Sequence, residues 1–290
     1  MKNLSIAGVL AGVTLIAPLA HADTFAGSDT LKSAILEAIS QAEQLQVLPV
    51  GALVYTGGGS GVGEAGLRAG TQGIAPMSRA FSTAAINDLL SQGVTPVTNA
   101  IGLDGVSVFA EAGNATPSID FATLRGIFGC TITTWEQVPG ATLTGPIAVY
   151  RRDDASGTTD TFKTLTGLAA FGTCATIVPS TEAIASHTST EANAIGYAGL
   201  SGKVAGNKEL AVVSPVTGAA VLPTVANIRD FSYPLSRRLF VNSVADGRSP
   251  SALEQSLTSI GPGRDVGACV GWRPVRRRGF GCRQRRPSSA

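Results

Sequence analysis

Twelve residues, Arg151 to Phe162 (RRDDASGTTDTF), constrain this chain more than any other stretch of it. An apolar run, Pro146 to Tyr150, precedes them and reads as a buried strand, while Thr158 to Leu168 has the spacing of a helix. The segment between is a strand-to-helix junction, a feature of layered α/β folds. At such a junction the free N–H groups of the first helical turn, near Gly157 and Thr158, point at whatever sits above them, and the helix dipole favours negative charge there. Ser156 and Thr158 add hydroxyls, and Arg151 and Arg152 add guanidinium forks that suit tetrahedral oxyanions. Taken alone, the same residues also fit an N-capped helix with two surface arginines.

The chain opens with Lys2, an apolar run from Leu4 to Leu19, and Ala20-His21-Ala22. This predicts a secretory signal peptide cleaved after Ala22, because the run is short and no second apolar stretch of spanning length follows. No cysteine stands at the new N-terminus, so the expected product is a soluble exported protein without a lipid anchor. With 35 glycines, few aromatics and alternating strand-like and helix-like segments, the composition argues for α/β layering and against disorder or a disulfide-dense scaffold. The length suffices for two domains.

The formal charge of +2 conceals two opposite regions. Residues 261–290 hold eight arginines and one acid, a charge of +7; without that tail and the leader's Lys2, residues 23–260 carry −6. An acidic body argues against nucleic acid as a partner, and any anion it holds must be held by local donors rather than by a global field. Of the four cysteines, Cys130 and Cys174 lie in the body and Cys269 and Cys282 in the tail. A Cys130–Cys174 disulfide is therefore predicted for an exported chain. Metal binding is not expected: one histidine, His187, remains after leader cleavage, and no CxxC or HxxxH spacing groups ligands. His187 reads as a solvent-facing loop residue among serines and threonines.

Leu31, Ile35, Leu36, Ile39, Ala42 and Leu45 recur at helical spacing, with Asp29 or Thr30 as the expected N-cap. Ala52–Thr56 is a strand candidate running into GGGSGVGEAG, where glycine leaves backbone N–H groups open to a ligand. That run lacks the lysine of a nucleotide-binding P-loop. Ile74–Arg79 reads as a short strand and turn, Ala84–Gln92 as a helix, and Val94–Ala110 (VTPVTNAIGLDGVSVFA) as strands around a turn, where the chain first crosses between domains. Ser118–Phe128 reads as a capped helix, and Ile195–Tyr197 and Arg238–Asn242 as strands.

Four donor-rich loops, AGSDTLK, TGGGSGVGE, GIAPMSRAF and RRDDASGTTDTF, follow one another in an order and spacing that resembles the substrate-binding proteins of phosphate-specific ABC transporters, a family that includes the DING proteins. IFGCTITTW (Ile127–Trp135), AIGYAG (Ala194–Gly199) and YPLSR (Tyr233–Arg237) add to the likeness, which runs from about Phe25 to Ser251. The resemblance implies a two-lobed, type II Venus-flytrap periplasmic-binding-protein fold, each lobe a sheet flanked by helices. Lobe I would comprise residues 23–105 and 230–260, and lobe II residues 106–229. It further implies a non-enzymatic, monomeric periplasmic receptor without cofactors, which binds inorganic phosphate for an inner-membrane ABC permease. The alternatives are a DING-like phosphatase and a receptor for sulfate, molybdate or arsenate.

By motif, the resemblance assigns phosphate contacts to Thr30, Leu31, Ser60, Ser78, Arg79, Arg152, Ser156, Gly157 and Thr158, with Asp154 orienting Arg152. Hydrogen phosphate carries a proton and sulfate does not, so a buried acceptor selects between them. Some relatives place an aspartate where this chain reads Ser78; Asp29 or the Ser78 hydroxyl would accept instead. The family ends in helices that complete lobe I, and SPSALEQSLTSI begins like one. The arginine-rich residues 261–290 lack helical periodicity, which fits a frameshift that replaced that ending; the alternative is a membrane- or nucleic-acid-binding arm.

Overall fold

The computed structural model describes residues 23–245, together with the backbone of Trp272–Pro274 and Phe280–Cys282. The leader, its cleavage site and the helix expected after Ser249 lie outside the described residues.

The first half alternates strand and helix. β1 (Asp23–Gly27) leads through a 3-10 turn (Asp29–Leu31) into α1 (Lys32–Gln44), β2 (Leu53–Gly58), α2 (Ser60–Ala69), β3 (Ile74–Met77) and α3 (Thr83–Ser91). The glycine run is thus no free loop: it ends a strand and starts a helix, with Gly59 at φ 108° in the N-cap position. The left-handed backbone explains why glycine stands there. Ser28 rather than Asp29 or Thr30 precedes the first turn, and no side chain caps it.

β4 (Thr95–Glu111) corrects the expectation of two strands around a turn, since Val94–Ala110 lies almost wholly in one 17-residue strand. Gly102, Asp104 and Gly105 make no turn because each has a packing duty or a partner within the extended strand. A Cβ on Gly105 would come within 2.8 Å of Ile228 Cδ1, and Asp104 is paired with Arg237.

β5 (Ser118–Ile119), α4 (Phe121–Phe128), β6 (Ala148–Arg151), α5 (Gly157–Thr166), β7 (Ala175–Ile177), α6 (Thr181–Thr190) and β8 (Ala194–Gly199) follow. The remaining elements are β9 (Asn207–Glu209), β10 (Ala211–Val213), β11 (Ala220–Val221), α7 (Val225–Arg229), β12 (Ser236–Ala245) and an antiparallel pair, β13 (Trp272–Pro274) with β14 (Phe280–Cys282). The capped helix expected from Ser118 starts at Phe121, where Asp120 accepts from the Thr123 amide.

One strand serves both lobes. From Thr95 to Gly105, β4 pairs with β12, which pairs in turn with β3; from Val106 to Ala110 it pairs with β8, which leads on to β6 and β7. The buried apolar residues divide accordingly. One core gathers Val106, Val108, Phe128, Trp135, Phe162, Tyr197 and Tyr233. Two smaller cores gather Phe25, Leu31, Ile35, Tyr55 and Ile74, and Leu67, Met77, Phe81 and Leu89. This is the two-lobed arrangement of helix-flanked sheets, with β4 and β12 as the connecting ribbon.

Cys130 and Cys174 form a disulfide with Cα atoms 5.8 Å apart, within the ordinary range. It joins the end of α4 to the residue before β7. His187 lies on α6 rather than in a loop: its ring stacks on Tyr150 and bonds Glu191 at 2.6 Å.

Candidate functional site: two helix-start junctions facing each other

Two junctions of the same construction meet across the gap between the lobes. In lobe I, Gly57, Gly58 and Gly59 all take positive φ and carry β2 into α2. In lobe II, β6 runs through Arg152–Ala155 into α5, whose N-cap Ser156 accepts from the Thr159 amide at 3.3 Å. They touch backbone to backbone, with Gly61 N–H donating to Ala155 C=O at 2.9 Å. A Cβ on Gly59 would approach that carbonyl to 2.7 Å, and one on Gly157 would overlap the Ser60 hydroxyl. The glycines therefore permit an approach that no other residue would.

Buried hydroxyls line this contact. Thr30 Oγ1 and Thr158 Oγ1 lie 3.0 Å apart, one from each lobe. Ser28 Oγ and Ser78 Oγ bond each other, and the Ser60 hydroxyl accepts from the Ser78 amide at 2.8 Å. Ser28, Thr30, Ser60, Ser78, Ser156 and Thr158 are all buried. Behind them Tyr55 donates its hydroxyl to Ser28 C=O at 2.7 Å. Burial, and next the charge of Asp29, push the Tyr55 phenol well above its ordinary range, so it stays a donor.

Arg152 is the central cation, 2% exposed. Its Nη1 pairs with Asp29 Oδ2 across the cleft, and its Nε is buried without a hydrogen-bond partner. Asp29 Oδ1 also accepts from the Gly58 amide at 2.9 Å, so one carboxylate braces both junctions. This corrects the role expected of Asp154, whose side chain is 74% exposed and contacts Arg151 rather than Arg152. Asp154 points away because it sits at the solvent side of the turn, while Asp29 enters from the opposite lobe. Underneath, Thr159 joins the Arg152 carbonyl at 3.4 Å to the Tyr197 hydroxyl at 2.8 Å, and Tyr197 stacks on Phe162.

The residues named from sequence separate into three groups. Thr30, Ser60, Ser78, Arg152, Ser156, Gly157 and Thr158 converge. Leu31 contributes a core side chain, and its amide donates to Ser28 C=O at 3.2 Å. Arg79 stands apart from the hydroxyls: its Nη1 binds Glu64 at 2.6 Å and its Nε binds Asp160 of α5 at 2.7 Å, another tie between the lobes.

Three participants went unnoticed in the sequence: Ser28, Asp104 and Arg237. Arg237 is 5% exposed and donates to Asp104, to Thr158 Oγ1 at 3.0 Å and to Thr30 Oγ1 at 3.1 Å. The YPLSR string flagged its position, but not its reach across the sheet.

This geometry gathers two helix-start junctions, buried hydroxyls and buried guanidinium groups between the two lobes. The chain belongs to the PBP superfamily, whose domain matches residues 17–255. It is 26% identical over 230 residues to the phosphate-binding protein PstS of Pseudomonas aeruginosa, covering 74% of this chain and 70% of that one. It is 30% identical over 180 residues to alkaline phosphatase L of the same species, covering 56% of this chain and 44% of that one. Its fold matches a Clostridium perfringens protein assigned as a phosphate ABC transporter substrate-binding protein and holding phosphate. The TM-score is 0.69 at 22% identity, over 81% of this chain and 90% of that one.

Proposed function

We propose that this chain is an exported receptor that binds inorganic phosphate between its lobes and delivers it to an inner-membrane ABC permease. The observation that carries this reading is the meeting of two helix-start junctions over buried hydroxyls and one deeply buried arginine. A divalent anion taken out of water needs many donors at once, and amides, hydroxyls and a guanidinium supply them in a preorganised array. The acidic body offers no long-range attraction, so these local donors must suffice. The binding set is Thr30, Ser60, Ser78, Arg152, Ser156, Gly157 and Thr158, with Leu31 joining it only by exchanging the Ser28 C=O that its amide now holds for the anion. Asp29 braces Arg152 and, with Ser78, supplies acceptors for the proton of hydrogen phosphate. Arg79, placed in that set by motif, acts instead as a tie between the lobes. The names of the P. aeruginosa and C. perfringens relatives agree with this ligand.

The receptor acts without turnover and as a monomer, after removal of the leader at Ala22. Ser60 and Ser156 could serve a phosphatase as nucleophiles, but their hydroxyls accept from the Ser78 and Thr159 amides, and the hydrogen bond of the His187 ring goes to Glu191. Neither serine thus has an imidazole as its base. Isothermal titration of phosphate-stripped protein lacking residues 1–22 tests the reading. Tight phosphate binding with weak sulfate binding is expected; equal affinity for both would reject the selectivity, and steady hydrolysis of a chromogenic phosphate ester would reject the receptor in favour of an enzyme.

A further inference from the structure

Arg237 belongs to none of the four donor loops, yet it is the second deeply buried guanidinium beside them. It is anchored by a directly opposed cross-strand partner: in the β4–β12 ladder, Arg237 faces Asp104. The Asp104 Oδ2 atom accepts from Arg237 Nε at 3.0 Å and from Nη2 at 2.7 Å, and Oδ1 accepts from the Leu200 amide at 3.2 Å. A carboxylate held this way fixes the plane of the guanidinium and offsets its charge. The strand end of β8 passes close by: a Cβ on Gly199 would lie 2.8 Å from Thr30 Cγ2 and 2.9 Å from Asp104 Oδ2. The pair also sits where β4 changes partners, one residue before Gly105 and Val106, and so between the two lobes.

From that anchored plane, Nη1 reaches Thr158 of lobe II and Nη2 reaches Thr30 of lobe I. A guanidinium has no acceptor, so both hydroxyls must receive its protons. Each threonine hydroxyl has a single proton of its own to direct elsewhere. Across their 3.0 Å contact one threonine gives its proton to the other, so the receiver's proton is free for a ligand oxygen and the giver's becomes so when the ligand replaces that contact.

We infer that Arg237 is a positioning residue for anion binding: from the strand pair between the lobes it presets the Thr30 and Thr158 hydroxyls as donors, so that they engage the anion only when the lobes meet. This rests on the phosphate reading above and extends it to a group outside the binding loops. A role confined to holding the sheet together would leave the two hydroxyls out of account, and that difference is measurable.

The test is a double-mutant cycle read by phosphate titration, with thermal unfolding of each variant as a check on folding. Arg237→Gln is expected to weaken phosphate binding by about tenfold to a hundredfold, the usual effect of losing charge-assisted hydrogen bonds. Arg237→Lys, a point charge without the fork, should restore little of it. In a Thr30→Val, Thr158→Val background, Arg237→Gln should cost almost nothing further, because the hydroxyls through which it acts are gone. Should Arg237→Gln fail to fold, Arg237→Lys takes its place in the cycle. Unchanged affinity in a folded Arg237 variant overturns the inference, as does full additivity with the threonine changes. Wild-type protein that binds no phosphate removes the receptor reading itself, and this inference with it.

Discussion

The two junctions that face each other reach the same end by opposite means. The lobe I junction, Gly57–Ser60, holds no charge; three consecutive glycines at positive φ carry the backbone into the helix, with the Gly58 amide held by Asp29 and the Gly59 amide by Gly27 C=O. The lobe II junction, Arg152–Thr158, has one glycine, a hydroxyl cap and a buried cation. Lobe I thereby brings backbone to the contact and lobe II a guanidinium, and the carboxylate of Asp29 ties the two together. Division of labour follows: the glycine side sets how closely the lobes approach, and the arginine side sets how strongly they hold charge.

Removing the charge should have the largest effect. Arg152→Ala leaves Asp29 as a buried carboxylate without its cation and deprives the anion of its guanidinium. Phosphate affinity should fall by two to three orders of magnitude, corresponding to about 3–5 kcal/mol for breaking a buried pair. Titration calorimetry that finds unchanged affinity would take Arg152 out of the site and dissolve the contrast. Gly157→Ala tests the other half. The atoms nearest the added methyl are those of Ser60 and Ser78 across the cleft, so affinity should drop about tenfold while the melting temperature of ligand-free protein barely moves. Equal losses in both would mean that the contact is structural and not part of closure.

How much of this the sequence disclosed depended on whether a feature was local. The Arg151–Phe162 junction was legible because strand, cap and helix follow one another within a few residues, and the N-cap role of Ser156 is a matter of the residues beside it. Glycine at 57–59 announced a special backbone, but not that it was a strand end feeding a helix directly. Asp104 misled, because a Gly-Asp-Gly-rich stretch looks like a turn until a partner 133 residues away is known to pair with it. The orientation of Arg152 failed for the same reason: the resemblance implied the nearby Asp154 as partner, while the residue that binds it lies 123 positions earlier. Motif resemblance named loops that the fold brings together; it carried no information about which carboxylate crosses between lobes.

A smaller effect concerns the outer edge of the same contact. Glu64 accepts from Arg79 and from the amide and hydroxyl of Ser82. Burial alone would raise its pKa, but the Arg79 and Ser82 hydrogen bonds outweigh that and hold the carboxyl below its ordinary value. Since the folded pKa lies below the unfolded one, about 4.3, the contribution of Glu64 to stability is present above that value and is lost as the pH falls through the lowered one. Melting temperature should therefore decline on acidification below about pH 4 more steeply in the wild type than in Glu64→Gln. Parallel acid profiles would show that Glu64 gives the lobe I side no charge-dependent support.

The smallest effect separates the two aspartates that compete for the role of orienting Arg152. Asp154 is largely in solvent and its contact, at 3.3 Å, is with Arg151, so Asp154→Asn should change phosphate affinity by less than about twofold, as expected of an exposed pair. Asp29→Asn keeps the size of the side chain but removes the charge that holds Arg152 and weakens the brace to Gly58. Its cost, about tenfold in affinity, is the loss of a preorganised guanidinium. The comparison is sharp because the two substitutions are chemically identical. If Asp154→Asn weakened binding more than Asp29→Asn, Arg152 would have to be oriented from within its own loop, and the brace between the junctions would no longer account for how the two lobes share one anion.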